Sequence, residues 1–377
     1  MSNTPVESAP TGGSPSTKTL PEWTKALGIG LLVSLIAGLF ATAFLWPMTT
    51  AAPKHIAFGV AGPEEQITQM EAKLNATQAD LFDISTYDDR DAVVTAIKER
   101  DILGGLVVGA DGIEMLTASA GNAQVAQLLN QMATGLQTQQ AAQVQEATAE
   151  AVSQAVSQGA TAEQVLAIQT QAQEKAATSA LTVTDVVPGG TSAGMSNLTM
   201  IPALIGGLMS AVLSFLLVKK NLANRIVAIV AGAVWAGLIG AAVLGPWFGV
   251  LDGSYWLTAF GLMMGALAVG LTISGLATLI GPAGLGLGAL TIVMFGNPWG
   301  GFMAPTEFLA DPWGSIGAHM PNGTVISLIK SINFFPDAST GNQWLTLVIW
   351  AFCGLALLLA GIALQKRKAN KLAAPVA

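Results

Sequence analysis

Charge is what this 377-residue chain has least of. Asp, Glu, Lys and Arg together make 10% of it, against about 25% in an ordinary soluble domain. Cysteine is nearly missing: Cys353 stands alone in an apolar run, which excludes a disulfide framework or a cysteine metal site within one chain and leaves a small apolar side chain in a membrane helix. The two histidines, His55 and His319, are far apart and without ligand spacing. No G-x-x-x-x-G-K-[ST] phosphate loop exists, so the chain is not its own ATPase by that route. No Ser/His/Asp arrangement can be read either. These absences predict neither enzyme activity, nor a cofactor, nor a metal. An acidic balance, net −7, also excludes nucleic acid as a partner, because phosphates are met by Lys and Arg.

What is present is apolar: 52% of residues are hydrophobic and mean hydropathy is +0.56. A spanning helix needs roughly 20 mostly apolar residues, and six candidates follow in order. They are 27–46, 198–218, 226–245, 255–280, the shorter 285–296, and 344–364. Their cores carry no ionisable residue, which argues against a proton-coupled carrier. Positive charge marks the inner side of a membrane. Lys18 and Lys25 precede the first span, Lys219, Lys220 and Arg225 sit between the second and third, and Lys366, Arg367, Lys368 and Lys371 follow the last. Six spans put all nine on one side, the cytoplasmic one, with only Lys54 and Lys330 near membrane ends on the other. A cleaved signal peptide is the rival reading of residues 18–52, although its apolar core is normally about 7–15 residues.

Between the first two spans lies an acidic block. Residues 50–198 hold 17 of the 23 acids and 6 of the 16 bases. Within it HIAFGVAG, ADLFDISTYD, ILGGLVVG and IEMLTA read as strands, with helices over PEEQITQMEAKLNA and DDRDAVVTAIKERD; Asp111-Gly112 is a hairpin turn. Alternating strands and helices predict a small α/β domain. Asp88, Asp89 and Asp91 have a metal reading and a simpler one, capping and dipole complementarity at a helix start. From 122 to 180 the chain turns Ala/Gln-rich and predicts a helical arm, with Thr161–Gln164 as a capping box. The arm has two readings, a partner-binding device or a solvated insertion. LTVTDVVP leads back to the membrane.

The fold class predicted is an α-helical polytopic membrane protein. It has six spans, both termini inside, and a large extracellular α/β domain inserted between spans one and two. The divisions are 1–26 (cytoplasmic tail and a possible interfacial helix around Trp23), 27–49 (first span), 50–197 (external domain), 198–365 (five-span domain) and 366–377 (basic cytoplasmic tail). The stretch FGNPWGGFMAPTEFLADPWGSIGAHMPNG, 295–323, is too apolar for a surface loop and too rich in Gly and Pro for a regular span. It is placed in an outer collar, 297–341, where Asn297, Pro298 and Gly300-Gly301 break the fifth span. Broken backbone at that depth must be buried or line a wet cavity. Trp299 and Trp313 suit an interfacial belt, Glu307 and Asp311 are candidates for an outer gate, and GTVISLIKSINFF is expected to lie along the outer surface. A purely structural lid is the competing reading of the whole collar.

AVVTAIKERDILGGLVV (92–108), MLTASAG (115–121), VAQLLNQMA (125–133), TDVVP (184–188), GNPWGG (296–301) and PNGTVISLIKSINFF (321–335) carry a resemblance. Together with the order of one span, a large domain and five spans, the chain resembles ABC-2-type exporter permeases, especially the phage-infection-protein-like integral membrane proteins of actinobacteria. The resemblance covers most of residues 50–365. It implies a bacterial plasma-membrane subunit that works as a homodimer with a cytoplasmic ATPase and exports an amphiphilic or hydrophobic envelope compound. It also makes Lys219, Lys220 and Arg225 the positions that would couple to the ATPase, although a link of only KKNLANR offers little contact surface. The alternative is a membrane-anchored envelope scaffold or binding protein, phage-receptor-like, without transport.

Overall fold

The computed structural model describes residues 21–77, 80–109, 112–178, 181–218 and 222–373. The expected N-terminal tail, 1–20, and the turn residues Ala110 and Asp111 lie outside them. The described residues open with a helix, α1 (Glu22–Thr50), then form β1 (Ile56–Ala61), α2 (Glu64–Thr77), β2 (Phe82–Tyr87), α3 (Arg90–Glu99), β3 (Gly104–Gly109) and β4 (Gly112–Thr117). A long hairpin of α4 (Ala123–Ser157) and α5 (Ala162–Thr178) follows, and β5 (Leu181–Asp185) completes the sheet. Next come α6 (Ile201–Leu217), α7 (Leu222–Ala242), α8 (Tyr255–Ile280), α9 (Pro282–Leu290), α10 (Gly296–Trp299), α11 (Trp313–Ala318), α12 (Pro321–Phe334) and α13 (Gly341–Ala373).

The sheet order is β2-β1-β3-β4-β5, parallel except for the β3–β4 hairpin. Strand alternation sends Ile56, Phe58 and Val60 into one core with Leu106, Met115 and the first turns of α4, where Val125 and Leu129 are fully buried. The opposite face packs Val93, Ala96 and Ile97 of α3. Asp89 caps α3, its carboxylate accepting from the Ala92 N–H at 2.8 Å, a contact that contributes about 1 kcal/mol. The capping box closes as its sequence requires: the Thr161 N–H donates to the Gln164 amide, and the Gln164 N–H to the Thr161 hydroxyl. Arg90 grips Glu114 with two bonds of 2.7 and 2.9 Å, and Thr184 donates to the same carboxylate. The guanidinium holds the Glu114 carboxyl below its ordinary range, tying α3 to β4 and β5.

Among the described residues five helical stretches are long and apolar enough to cross a membrane: 22–42, 197–217, 223–247, 255–280 and 341–367. They correspond to five of the six expected spans, and the expected interfacial helix around Trp23 is simply the start of α1. The span expected at 285–296 is not among them. Its helix is the broken run of α9, a π-helical turn (Thr291–Phe295) and α10. At about 1.5 Å per residue that run falls just short of a ~30 Å hydrocarbon core. Asn297 and Pro298 do not end it; both are buried inside α10. Pro298 cannot donate to the carbonyl four residues back, and the helix widens just before it. The stop comes at Gly300-Gly301, where Gly301 takes a φ of 87°.

Close approaches fix the directions. Gly206 meets Ala236 and Gly240 meets Pro202, so α6 and α7 are antiparallel; Gly237 meets Met263 and Gly270 meets Ile229, so α7 and α8 are antiparallel. Phe260 packs on Trp344, Gly275 on Gly354 and Gly361 on Thr278, so α8 and α13 run the same way. The chain between them must therefore return along α8, and it does so in two legs. Gly284 lies on Leu276 and Gly288 on Ile273 in the first; Val325 lies on Gly265 and Ile329 on Gly261 in the second. The collar is the excursion between these legs. One end of the bundle collects the C-terminal halves of α6, α8 and α13; the opposite end carries the sheet domain.

Candidate functional site

Two places combine unusual chemistry with accessible volume. The first is a cavity of about 320 Å³ where the sheet domain sits on α12 and the collar. The second is a groove of about 610 Å³ between α6 and α7.

The cavity is built around two cations. Arg100 closes α3 in the left-handed conformation, with φ of 66°. Glycine is the usual residue there, and a side chain costs about 1 kcal/mol. The side chain offsets this by reaching α12. Its Nη1 donates to the Ser327 carbonyl at 2.9 Å and to the hydroxyls of Ser331 at 2.6 Å and Ser327 at 3.3 Å. The guanidinium carbon stands 5.3 Å over the Phe335 ring. Lys330, one turn along α12, donates from Nζ to the Gly121 carbonyl at 3.1 Å. Both are half-buried. Burial pulls the Arg100 guanidinium below its ordinary range. The carboxylate lining the same cavity is Glu307, exposed in the collar at its rim. Gly121 and the first turn of α4 complete the wall.

α12 corrects an expectation. It does not lie along an outer surface: Val325, Ile326, Leu328 and Ile329 are buried against α8, and Ser331 is buried too. An apolar helix under a polar domain reads, in sequence, like an interfacial one. Its lone Lys330 was the available signal, because a cation on such a helix needs a partner.

The collar is held by rings and by backbone contact. Trp313 lies between Trp299 at 4.4 Å and Trp46 at 5.7 Å, and Trp299 also meets Phe295 at 4.9 Å, so the end of α1 is stacked into it. Gly317 passes so close to the Trp299 carbonyl that a Cβ would overlap it. Asn322, 2% exposed, donates to the Ile292 carbonyl in the π-helical turn and to Asn297. Pro298 is buried, while Asp311 is exposed just before Pro312. The six collar candidates thus separate. Asn297, Pro298, Trp299 and Trp313 build the fold; Glu307 faces the cavity; Asp311 does not line it.

Of the three basic residues expected in the link, Lys219 and Lys220 lie outside the described residues and Arg225 falls in the first turn of α7. Arg225 turns inward, donating to Thr278 Oγ1 at 2.9 Å and to the Val218 carbonyl at 3.1 Å, with its carbon 5.1 Å from the Phe215 ring. The groove above it runs from Pro202 and Val243 down to Leu217 and Val218. It is walled by Ile205, Met209, Leu213, Trp235 and Ile239, with Ser210 and Ser214 as hydroxyls. Among the described residues no cluster of three or more His, Cys, Asp or Glu could hold a metal.

Comparison with protein-family models, with curated proteins and with solved structures gives no match to this chain.

Proposed function

We propose that the protein is the permease-like membrane subunit of an ABC-2-type exporter for an amphiphilic or hydrophobic envelope compound. A separate cytoplasmic ATPase powers it. The chain sits in a bacterial plasma membrane as a homodimer, with six crossings, the fifth made by α9–α10 together with α12. Both termini are cytoplasmic and the sheet domain is outside. The groove between α6 and α7 carries the reading. It follows nearly the whole length of both helices, opens sideways, and offers a lipid-like chain apolar contact throughout. Rocking of paired bundles would move such a molecule along it towards the sheet-domain end. Lys366 and Arg367 at the end of the bundle away from the sheet domain support the orientation.

A second reading, an envelope scaffold or receptor without transport, is favoured by one observation. α6 ends at Leu217 and α7 begins at Leu222, and Arg225 faces Thr278, so little of that link remains for an ATPase. Purification of the tagged chain in mild detergent separates the two. The exporter requires stoichiometric recovery of an ATPase whose turnover falls on changing Lys219 and Lys220. A clean homodimer with no ATPase leaves the scaffold.

A further inference from the structure

We infer that the junction cavity is a binding site for a phosphoryl group, held between the Arg100 guanidinium and the Lys330 ammonium. The charge balance points there first. Two cations share the cavity with one carboxylate, Glu307, which is exposed at the rim. Holding like charges together in a half-buried space is unfavourable, and an anion between them removes that cost.

The free donors point the same way. Arg100 makes all its protein bonds through Nη1; Nε and Nη2 have no partner among the described residues. That edge of a guanidinium is the fork that takes two oxygens of one oxyanion. Lys330 spends one N–H on Gly121 and keeps two. The start of the 35-residue α4 lines the same wall and adds the positive end of a helix dipole. A phosphate monoester carries about −1.5 to −2 charges at neutral pH and meets both cations at once, with Glu307 at the rim opposing it, whereas a carboxylate has a single charge to divide between them. The volume, about 320 Å³, admits the group with a short substituent.

Free phosphate and a lipid headgroup offer this same chemistry. The assignment stands whether or not the protein transports. The test uses the full chain in nanodiscs. In zwitterionic phosphatidylcholine, inorganic phosphate is titrated by calorimetry, with acetate as the monoanion control. In discs doped with phosphatidate, retained lipid is counted by native mass spectrometry. Binding of phosphate identifies a free anion, retention of phosphatidate a headgroup, and either supports the site. Lys330→Met is expected to weaken binding about tenfold or more. Because that change also removes a junction bond, Glu307→Gln decides. It breaks neither the Arg100 nor the Lys330 contacts and is expected to tighten binding several-fold. No binding in both arms, acetate binding as well as phosphate, or unchanged affinity in Glu307→Gln overturns the assignment.

Discussion

The two ends of the bundle solve one problem with one recipe and reach different results. Arg100 and Arg225 are each held, among the described residues, without a carboxylate in hydrogen-bonding contact. Each stacks on a phenylalanine, Phe335 or Phe215, and donates to a main-chain carbonyl and to Ser or Thr hydroxyls. Arg225 acts within its own bundle, tying the start of α7 to the far end of α8. Arg100 acts between units, and a second cation and an open volume stand beside it. The same contacts make a staple in one case and half of a site in the other. What differs is the neighbourhood: Arg100 has Lys330 and a cavity with polar walls beside it, whereas the volume above Arg225 is the apolar groove.

Removing each guanidinium breaks that comparison most directly. Arg100→Leu loses three bonds to a charged donor and leaves Ser331 buried without this partner; about 2–4 kcal/mol of stability should go, read as a lower denaturation midpoint. Arg100→Gly relieves the left-handed backbone yet should recover only about 1 kcal/mol of that loss, which separates strain from the side chain's contacts. Arg225→Leu is expected to cost less, about 1–3 kcal/mol, and to leave phosphate binding unchanged.

Smallest is Thr278→Val, which removes one hydroxyl acceptor from Arg225 and should cost about 1 kcal/mol.

Local chemistry was legible in the sequence, and distant pairing was not. The period of HIAFGVAG, the Asp89 cap and the Thr161–Gln164 box depend on residues a few positions apart, and each forms as its spacing requires. Long apolar runs marked the five helices that are long and apolar enough to cross a membrane. The collar's position was readable from its Gly and Pro, but the break was displaced. A π-helical turn supported by Asn322 lets Pro298 stay inside α10, and that support comes from 30 residues downstream of Ile292. The junction was invisible for the same reason. Arg100 and Ser331 are 231 positions apart, and no periodicity links them. An arginine at a helix end where glycine is usual was the one local hint.

Hydrogen–deuterium exchange on the intact protein tests most directly whether the sheet domain is fastened to the bundle through Arg100. With Arg100→Leu, amides in the last turn of α3 and along α12 should exchange faster together, while Arg225→Leu leaves both segments as in the parent. Unchanged exchange of α12 in Arg100→Leu would contradict the junction and the site built on it.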